Sequence, residues 1–224
     1  MELLIDASLP DLRLALAEGG RAVAGEVERR GKAESLETLL ERALERCSRP
    51  LSDVDVVAAL RGPGSFTGLR VALAFAQGLA FGRPGIRLLT ADTFALLGAV
   101  AAAKGASGPG AVLLPARRGF LYAATAVVEP GSRSLPEVSR RRMVAESEVS
   151  AVAAEGGWTI LPDDAPCRAA LPGALAFGSD ELLLDALLPC LSDLAQVDPA
   201  VGISPEYVEP PQAKPGAAKG LAAC

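Results

Sequence analysis

The feature that most constrains this chain is the order in which its apolar periodicity changes along the first half. Glu2 to Ile5 is an apolar run closed by Asp6. A turn through Ser8-Leu9-Pro10-Asp11 follows, and Leu12 to Ala17 then sets Leu12, Leu14 and Leu16 on one face before Gly19-Gly20. Arg21 to Arg29 alternates again. A period of two means strands, and turns this short join antiparallel neighbours. At Ser35, a suitable N-cap, the period becomes helical: Leu36, Leu39, Leu40, Ala43, Leu44 and Cys47 share one face, with Glu37, Glu41, Arg42, Glu45 and Arg46 on the other. Val54 to Leu60 reads as a strand buried on both faces, Thr67 to Phe81 as a helix, Ile86 to Leu89 as a strand and Asp92 to Ala103 as a helix. Three hairpin-linked strands followed by alternating helix and strand predict an α/β fold with a mixed sheet covered by helices.

The segment Lys104 to Gly110, rich in glycine, reads as a linker, and beyond it the pattern recurs in weaker form. Strands are expected at Ala111 to Leu114, Phe120 to Val128, Arg142 to Ala145 and Trp158 to Leu161, with a helix over Glu146 to Ala154. Two further helices are expected at Asp180 to Leu188 and Leu191 to Val197. The expected division is an N-terminal lobe over 1–104, a smaller C-terminal lobe over 105–209 and a disordered tail over 210–224.

Composition removes whole classes of chemistry. The chain has no histidine, which excludes a Ser-His-Asp triad, a Cys-His pair and a zinc site built on two histidines. The four cysteines, Cys47, Cys167, Cys190 and Cys224, are widely spaced, so neither a zinc cluster nor a disulfide framework is indicated. With 22 Lys and Arg against 27 Asp and Glu, the net charge of -5 argues against independent tight binding of nucleic acid. No basic leader opens the chain, and no apolar stretch reaches the roughly 18 residues of a membrane span, which points to a soluble cytoplasmic protein.

Between the buried strand and the second helix lies Arg61-Gly62-Pro63-Gly64-Ser65-Phe66-Thr67-Gly68-Leu69-Arg70. Its glycines allow close backbone approach, and the following helix presents free N–H groups, so Gly62, Gly64, Ser65, Thr67 and Gly68 form a candidate phosphate or cofactor loop. The same residues also fit a tight turn with Ser65 or Thr67 as helix cap. The loop has neither the lysine of a Walker A motif nor GxGxxG spacing. In the helix, Gly68, Ala72, Ala76 and Ala80 fall four apart and make a stripe of small side chains that admits a close neighbour, within the lobe or from another subunit. Arg70 and Gln77 share another face.

The string from Gly62 to Gly82, GPGSFTGLRVALAFAQGLAFG, resembles the signature of the bacterial TsaB (YeaZ) family, whose members are partner proteins in threonylcarbamoyladenosine modification of tRNA. Ile5-Asp6-Ala7-Ser8, the helix after Ser35, Thr90-Ala91-Asp92-Thr93 and Ala116 to Tyr122 fall in matching order, and the likeness covers most of residues 1 to 125. It implies an actin-like ATPase fold of two ribonuclease H-like lobes and a role without catalytic or metal-binding residues. It further implies pairing with a TsaD-type catalytic subunit, which binds its metal through two histidines, joined by a TsaE-type ATPase. ATP or ADP would enter only in that complex, tRNA would be reached only through it, and the chain alone would form a homodimer. The partner interface expected on this basis comprises Leu36, Leu39, Leu40, Ala43, Gly68, Ala72, Ala76 and Ala80. Pro115 and Phe120 replace residues that are acidic in the family, and the family's His near Ser35 and its Arg after the tail Tyr are missing, the chain continuing Tyr207-Val208-Glu209-Pro210. These departures weaken the polar contacts expected between the lobes. The competing expectation is a small ATP-dependent phosphotransferase in which Asp6 positions a metal or base and the Gly62–Gly68 loop touches phosphates.

Overall fold

A computed structural model describes residues 1–28, 36–132, 134–178 and 183–208. The expected Ser35 cap, the start of the expected helix at Asp180, and the expected tail lie outside the described residues. The chain begins with a three-stranded meander, β1 (Glu2–Asp6), β2 (Leu12–Glu18) and β3 (Arg21–Glu28), followed by α1 (Leu36–Cys47), β4 (Val56–Leu60), α2 (Phe66–Gly82), β5 (Arg87–Ala91) and α3 (Thr93–Ala103). The second half runs β6 (Gly108–Pro115), β7 (Phe120–Val128), β8 (Glu137–Ala145), α4 (Val149–Ala153), β9 (Trp158–Pro162) and β10 (Leu175–Phe177). A 3-10 helix over Leu183–Asp193 then leads to β11 (Ala195–Val197).

The two sheets repeat one plan. The first is ordered β11-β5-β4-β1-β2-β3 and the second β10-β9-β6-β7-β8. In each, a meander is antiparallel and two later strands add in parallel beside its first strand, β4 then β5 in the first sheet and β9 then β10 in the second; β11 ends the first sheet antiparallel to β5. This shared order bears out the half-repeat expected from the periodicity, and with it a fold of two mixed sheets flanked by helices.

The helices divide according to their apolar width. α1 and α2 cover one face of the first sheet, burying Leu36, Leu39, Leu40, Ala43, Ala72, Ala76 and Ala80 against Leu3, Ile5, Leu14, Val57 and Leu88. α3 is apolar all round and buried from Thr93 to Ala101, as a helix packed between two layers must be. Its start is fixed by Asp92, whose carboxylate accepts from Phe94 N at 2.7 Å and Ala95 N at 3.1 Å.

Four expectations need correction. Gly108 to Gly110 belong to β6 rather than to a linker, because Trp158 lies flat on that strand; a Cβ on Gly110 would stand 2.0 Å from the indole. β8 begins at Glu137, well before Arg142; it is an edge strand with a register irregularity and an Arg140 to Arg142 run that hides its alternation. The expected helix from Leu191 to Val197 does not form, since Ala195–Val197 pairs antiparallel with β5 and covers the edge of the first sheet. It follows that the C-terminal lobe does not extend to residue 209, because the chain re-enters the N-terminal lobe at β11.

Two glycines of α2 make contrasting tests of this packing. A Cβ at Gly68 would lie 2.1 Å from the Ala7 carbonyl oxygen, whereas one at Gly78 would meet nothing within 4 Å. Gly68→Ala should therefore destabilise the chain by about 2 kcal/mol or more, and Gly78→Ala should stabilise it by about 0.5–1 kcal/mol. Urea unfolding of the two variants checks both signs.

Candidate functional site

The candidate loop lies where β1, β4 and α2 meet, and its glycines are pressed onto the turn after β1. A Cβ on Gly64 would be 2.1 Å from the Ser8 carbonyl oxygen, and one on Gly62 would be 2.5 Å from that of Glu206. Ser65 N donates to Ser8 O at 2.7 Å, and Thr93 N donates to Gly62 O at 2.8 Å. Ser65 is the helix cap, its hydroxyl accepting from Gly68 N at 3.2 Å; Thr67 stands exposed on the first turn. Of the two readings left open by spacing, these contacts favour a packed turn over a phosphate cradle, because the Ser65 and Gly68 amides and the loop's surface toward Ala7 and Ser8 are already engaged.

Beside the loop is a buried ionic group. Asp6, the last residue of β1, pairs across the ladder with Arg13 of β2, and the two side chains are fully or almost fully buried. Asp6 Oδ1 accepts from Ser8 N at 2.7 Å and from Ser8 Oγ at 2.6 Å. Arg13 Nη1 lies 3.6 Å from Asp6 Oδ2, and Arg13 Nη2 lies 3.7 Å from Asp11 Oδ2. Burial pushes the Asp6 carboxyl above its ordinary range, and this outweighs the opposing pull of Arg13 and Ser8. Among the described residues, no group of three or more acidic or cysteine side chains is placed to hold a metal ion.

A second polar group links the lobes. Arg141 of β8 reaches Asp92 at 2.9 Å and also contacts Glu206, which pairs with Arg61 at 3.2 Å. Sequence reasoning missed Arg141, since it is one of three consecutive arginines and nothing local marks it. Its neighbours Arg140 and Arg142 are both paired with Glu155. The departures at Pro115 and Phe120 thus leave a polar connection in place by other means.

The helices show where a partner could and could not touch. Leu36, Leu39, Leu40, Ala43, Ala72, Ala76 and Ala80 are no more than 4% exposed, so the expected interface stripe is spent on the lobe's own sheet. Gly68 of that stripe abuts Ala7. The seven buried side chains are corrected as contact residues, having almost no accessible surface to offer a partner, whereas Gly68 is half-buried. The opposite face of α2 does offer such surface. Val71, Ala74, Gly78 and Phe81 recur there at helical spacing, with Val71 54% and Phe81 70% exposed. Phe66, 42% exposed, ends the row, stacked on Tyr207 with ring centroids 5.5 Å apart and with the Arg70 guanidinium 3.8 Å over its ring. Arg70 also donates to the Tyr207 hydroxyl at 3.3 Å, and Gln77 donates to Pro199 O at 2.9 Å. The face shared by Arg70 and Gln77 thus holds residues 199–207 along α2 like a strap.

A cavity of about 860 Å³ lies at the far end of α3, between Lys104, the β7–β8 turn and Asp185. None of the candidate loop or interface residues lines it.

The raised Asp6 pKa has a definite sign in stability. Above the ordinary value of 3.8, the unfolded chain loses a proton that the folded chain retains until its own higher pKa, so stability falls as pH rises through that window. Asp6→Asn should lack this component, and the stability of the variant relative to wild type should increase from about pH 4 upward in pH-dependent urea titrations.

With this geometry established, comparison with known proteins places the chain. The family model described as tRNA N6-adenosine threonylcarbamoyltransferase (TsaD) matches residues 16–152. The tRNA N6-adenosine threonylcarbamoyltransferase of Agrobacterium fabrum is 39% identical over 79 residues, which are 35% of this chain and 21% of that protein. The tRNA threonylcarbamoyladenosine biosynthesis protein TsaB of Haemophilus influenzae is 37% identical over 81 residues, 36% of this chain and 34% of that protein. The chain thus spans about a fifth to a third of the length of these curated relatives. A Pseudomonas aeruginosa structure described as similar to the peptidase YeaZ superposes with a TM-score of 0.71 at 22% identity, covering 93% of this chain and 99% of that one. YeaZ from Pseudomonas aeruginosa superposes with a TM-score of 0.55 at 28% identity, over 65% of this chain and 67% of that one. A family match over more than half the chain means that the chain belongs to the TsaD-type threonylcarbamoyltransferase family, and it is similar to TsaB (YeaZ) proteins.

Proposed function

We propose that this chain is a non-catalytic subunit that pairs with a TsaD-type enzyme for threonylcarbamoyl transfer to the tRNA adenosine next to the anticodon. The observation that carries the reading is the outer face of α2, where Val71, Ala74, Gly78 and Phe81 form an exposed apolar row with small residues at its centre. Small side chains in such a row let a second helix approach closely, and large apolar groups at either end bury area on contact. The strap residues extend the row, with Val201 exposed beside α2 and Tyr207 stacked on Phe66. The carboxylates of α1, Glu37, Glu41 and Glu45, stand exposed and fit the polar rim of such an interface.

In this reading the chain supplies shape and not chemistry. A TsaE-type ATPase joins the pair, ATP or ADP enters with the complex, and tRNA is reached through the enzyme subunit. Without its partner, the same α2 face closes on a second copy of the chain, since a two-fold axis makes a self-complementary helix face its own substitute. No helix among the described residues is long and apolar enough to cross a membrane, and we place the protein in the cytoplasm with its tRNA substrate pool. The phosphotransferase reading is disfavoured by the Ser65 and Gly68 amides and by Asp6 Oδ1, which are engaged within the chain, and by the Arg13 guanidinium beside Asp6 Oδ2.

The test is co-expression with the TsaD from the same genome, followed by size exclusion. The two chains should co-elute at micromolar concentrations, and Ala74→Arg, which changes an exposed side chain, should weaken association at least tenfold while leaving thermal unfolding within about 2 °C of wild type. Separate elution of the wild-type chains would overturn the pairing; unchanged association of Ala74→Arg would overturn the assignment of this face.

A further inference from the structure

A carboxylate at a strand end, facing a glycine loop and the first turn of a helix, is the arrangement that takes a magnesium-bound phosphate. Such a ligand would need an open oxygen on Asp6, a second oxygen donor nearby, free loop amides and room between loop and turn. Much of this is taken up within the chain. Asp6 Oδ1 carries both the amide and the hydroxyl of Ser8; Oδ2, buried and without a hydrogen bond, has the Arg13 guanidinium as its ion-pair partner at 3.6 Å. Asp11, the nearby carboxylate, is turned to the same guanidinium at 3.7 Å, and Arg13 Nη1 also donates to the Asp11 backbone carbonyl at 3.2 Å. Ser65 N is bonded to Ser8 O and Gly68 N to Ser65 Oγ, while Gly64 and Gly68 touch the Ser8 and Ala7 carbonyls so closely that not even a methyl group fits.

We infer that Arg13 is the resident cation of this corner: its buried guanidinium takes the place beside Asp6 and Asp11 that a divalent ion would require, and the chain does not bind a magnesium nucleotide there. Mg²⁺ demands oxygen ligands at about 2.0–2.1 Å in octahedral array. It cannot reach Asp6 Oδ2 while a delocalised cation of the same sign lies against it. The Arg13 backbone is held by the β1–β2 ladder, and its guanidinium is buried and bonded to the Asp11 carbonyl, so it does not swing aside as an exposed arginine would. Charge balance explains why the arginine is tolerated at 1% exposure: two carboxylates share it, and removing either side leaves a buried charge without its counterpart. Arg13 thus converts a potential ligand site into an internal brace. The inference concerns this corner alone and stands whether or not the α2 face meets a TsaD-type partner.

Two measurements on the full chain test it. The first reads thermal melts of wild type and Asp6→Asn with and without millimolar MnCl₂, and with millimolar MgATP. No Asp6-dependent upward shift is expected with either probe, whereas a shift present in wild type and lost in Asp6→Asn would overturn the inference. The second compares Arg13→Met, the double variant Asp6→Asn with Asp11→Asn, and the triple variant combining all three. Arg13→Met should melt on the order of 10 °C below wild type, and the triple variant should melt above both Arg13→Met and the double variant, because it leaves no charge buried alone. A triple variant that melts at or below the lower of the two would show that the three side chains act independently, and would overturn the brace.

Discussion

The glycine loop and the turn after β1 meet backbone to backbone, and most of the N-terminal lobe is fixed by that contact. Because Gly64 and Gly68 carry no side chain, the start of α2 sits directly on the Ala7 and Ser8 carbonyls, with Ser65 N bonded to Ser8. The same loop accepts from Thr93 at the head of α3 and, through Arg61 O, from Glu206 of the strap at 2.6 Å. One short segment therefore sets the positions of β1, α2, α3 and the returning C-terminal strap. A side chain at either glycine would separate these elements together, and this accounts for the glycine-rich composition without a bound phosphate.

Once α2 is anchored this way, its two faces have different roles. The inner stripe of Ala72, Ala76 and Ala80 lets the helix lie close on β4, and the outer row from Phe66 to Phe81 is left to solvent within a single chain. The polar groups near the loop are engaged as well: Asp6 with Ser8 and Arg13, Asp92 with Arg141 and the first turn of α3. An exposed apolar row like that of α2 is the surface that the proposed pairing would use.

The sequence made much of this legible. The change of period at Ser35, the repeated meander and the Gly62–Gly82 string led to two related lobes, a capped helix after the loop and the TsaB group, because periodicity and close-packed glycines leave local marks. What was not legible depends on contacts far apart in the chain. The stripe of Ala72, Ala76 and Ala80 is equally suited to a neighbour within the lobe and to one outside it, and only burial distinguishes the two. β11 is three residues long, and its pairing with β5 is set by the uncovered edge of a distant strand. The burial of Arg13 leaves no local mark, since its partner Asp6 is defined only by the register of the β1–β2 ladder. Arg141 meets Asp92 across the lobes, a pairing that no spacing rule anticipates.

The central claim is that the chain serves threonylcarbamoyladenosine formation without chemistry of its own. Nucleoside mass spectrometry of bulk tRNA from cells depleted of the chain tests this most directly, with wild type, Asp6→Asn and Ala74→Arg returned in turn. The account predicts that the modified nucleoside disappears on depletion, returns with wild type and with Asp6→Asn, and does not return with Ala74→Arg. Modification that persists at the wild-type level after depletion, or that Asp6→Asn fails to restore although the variant is folded and present, would contradict it.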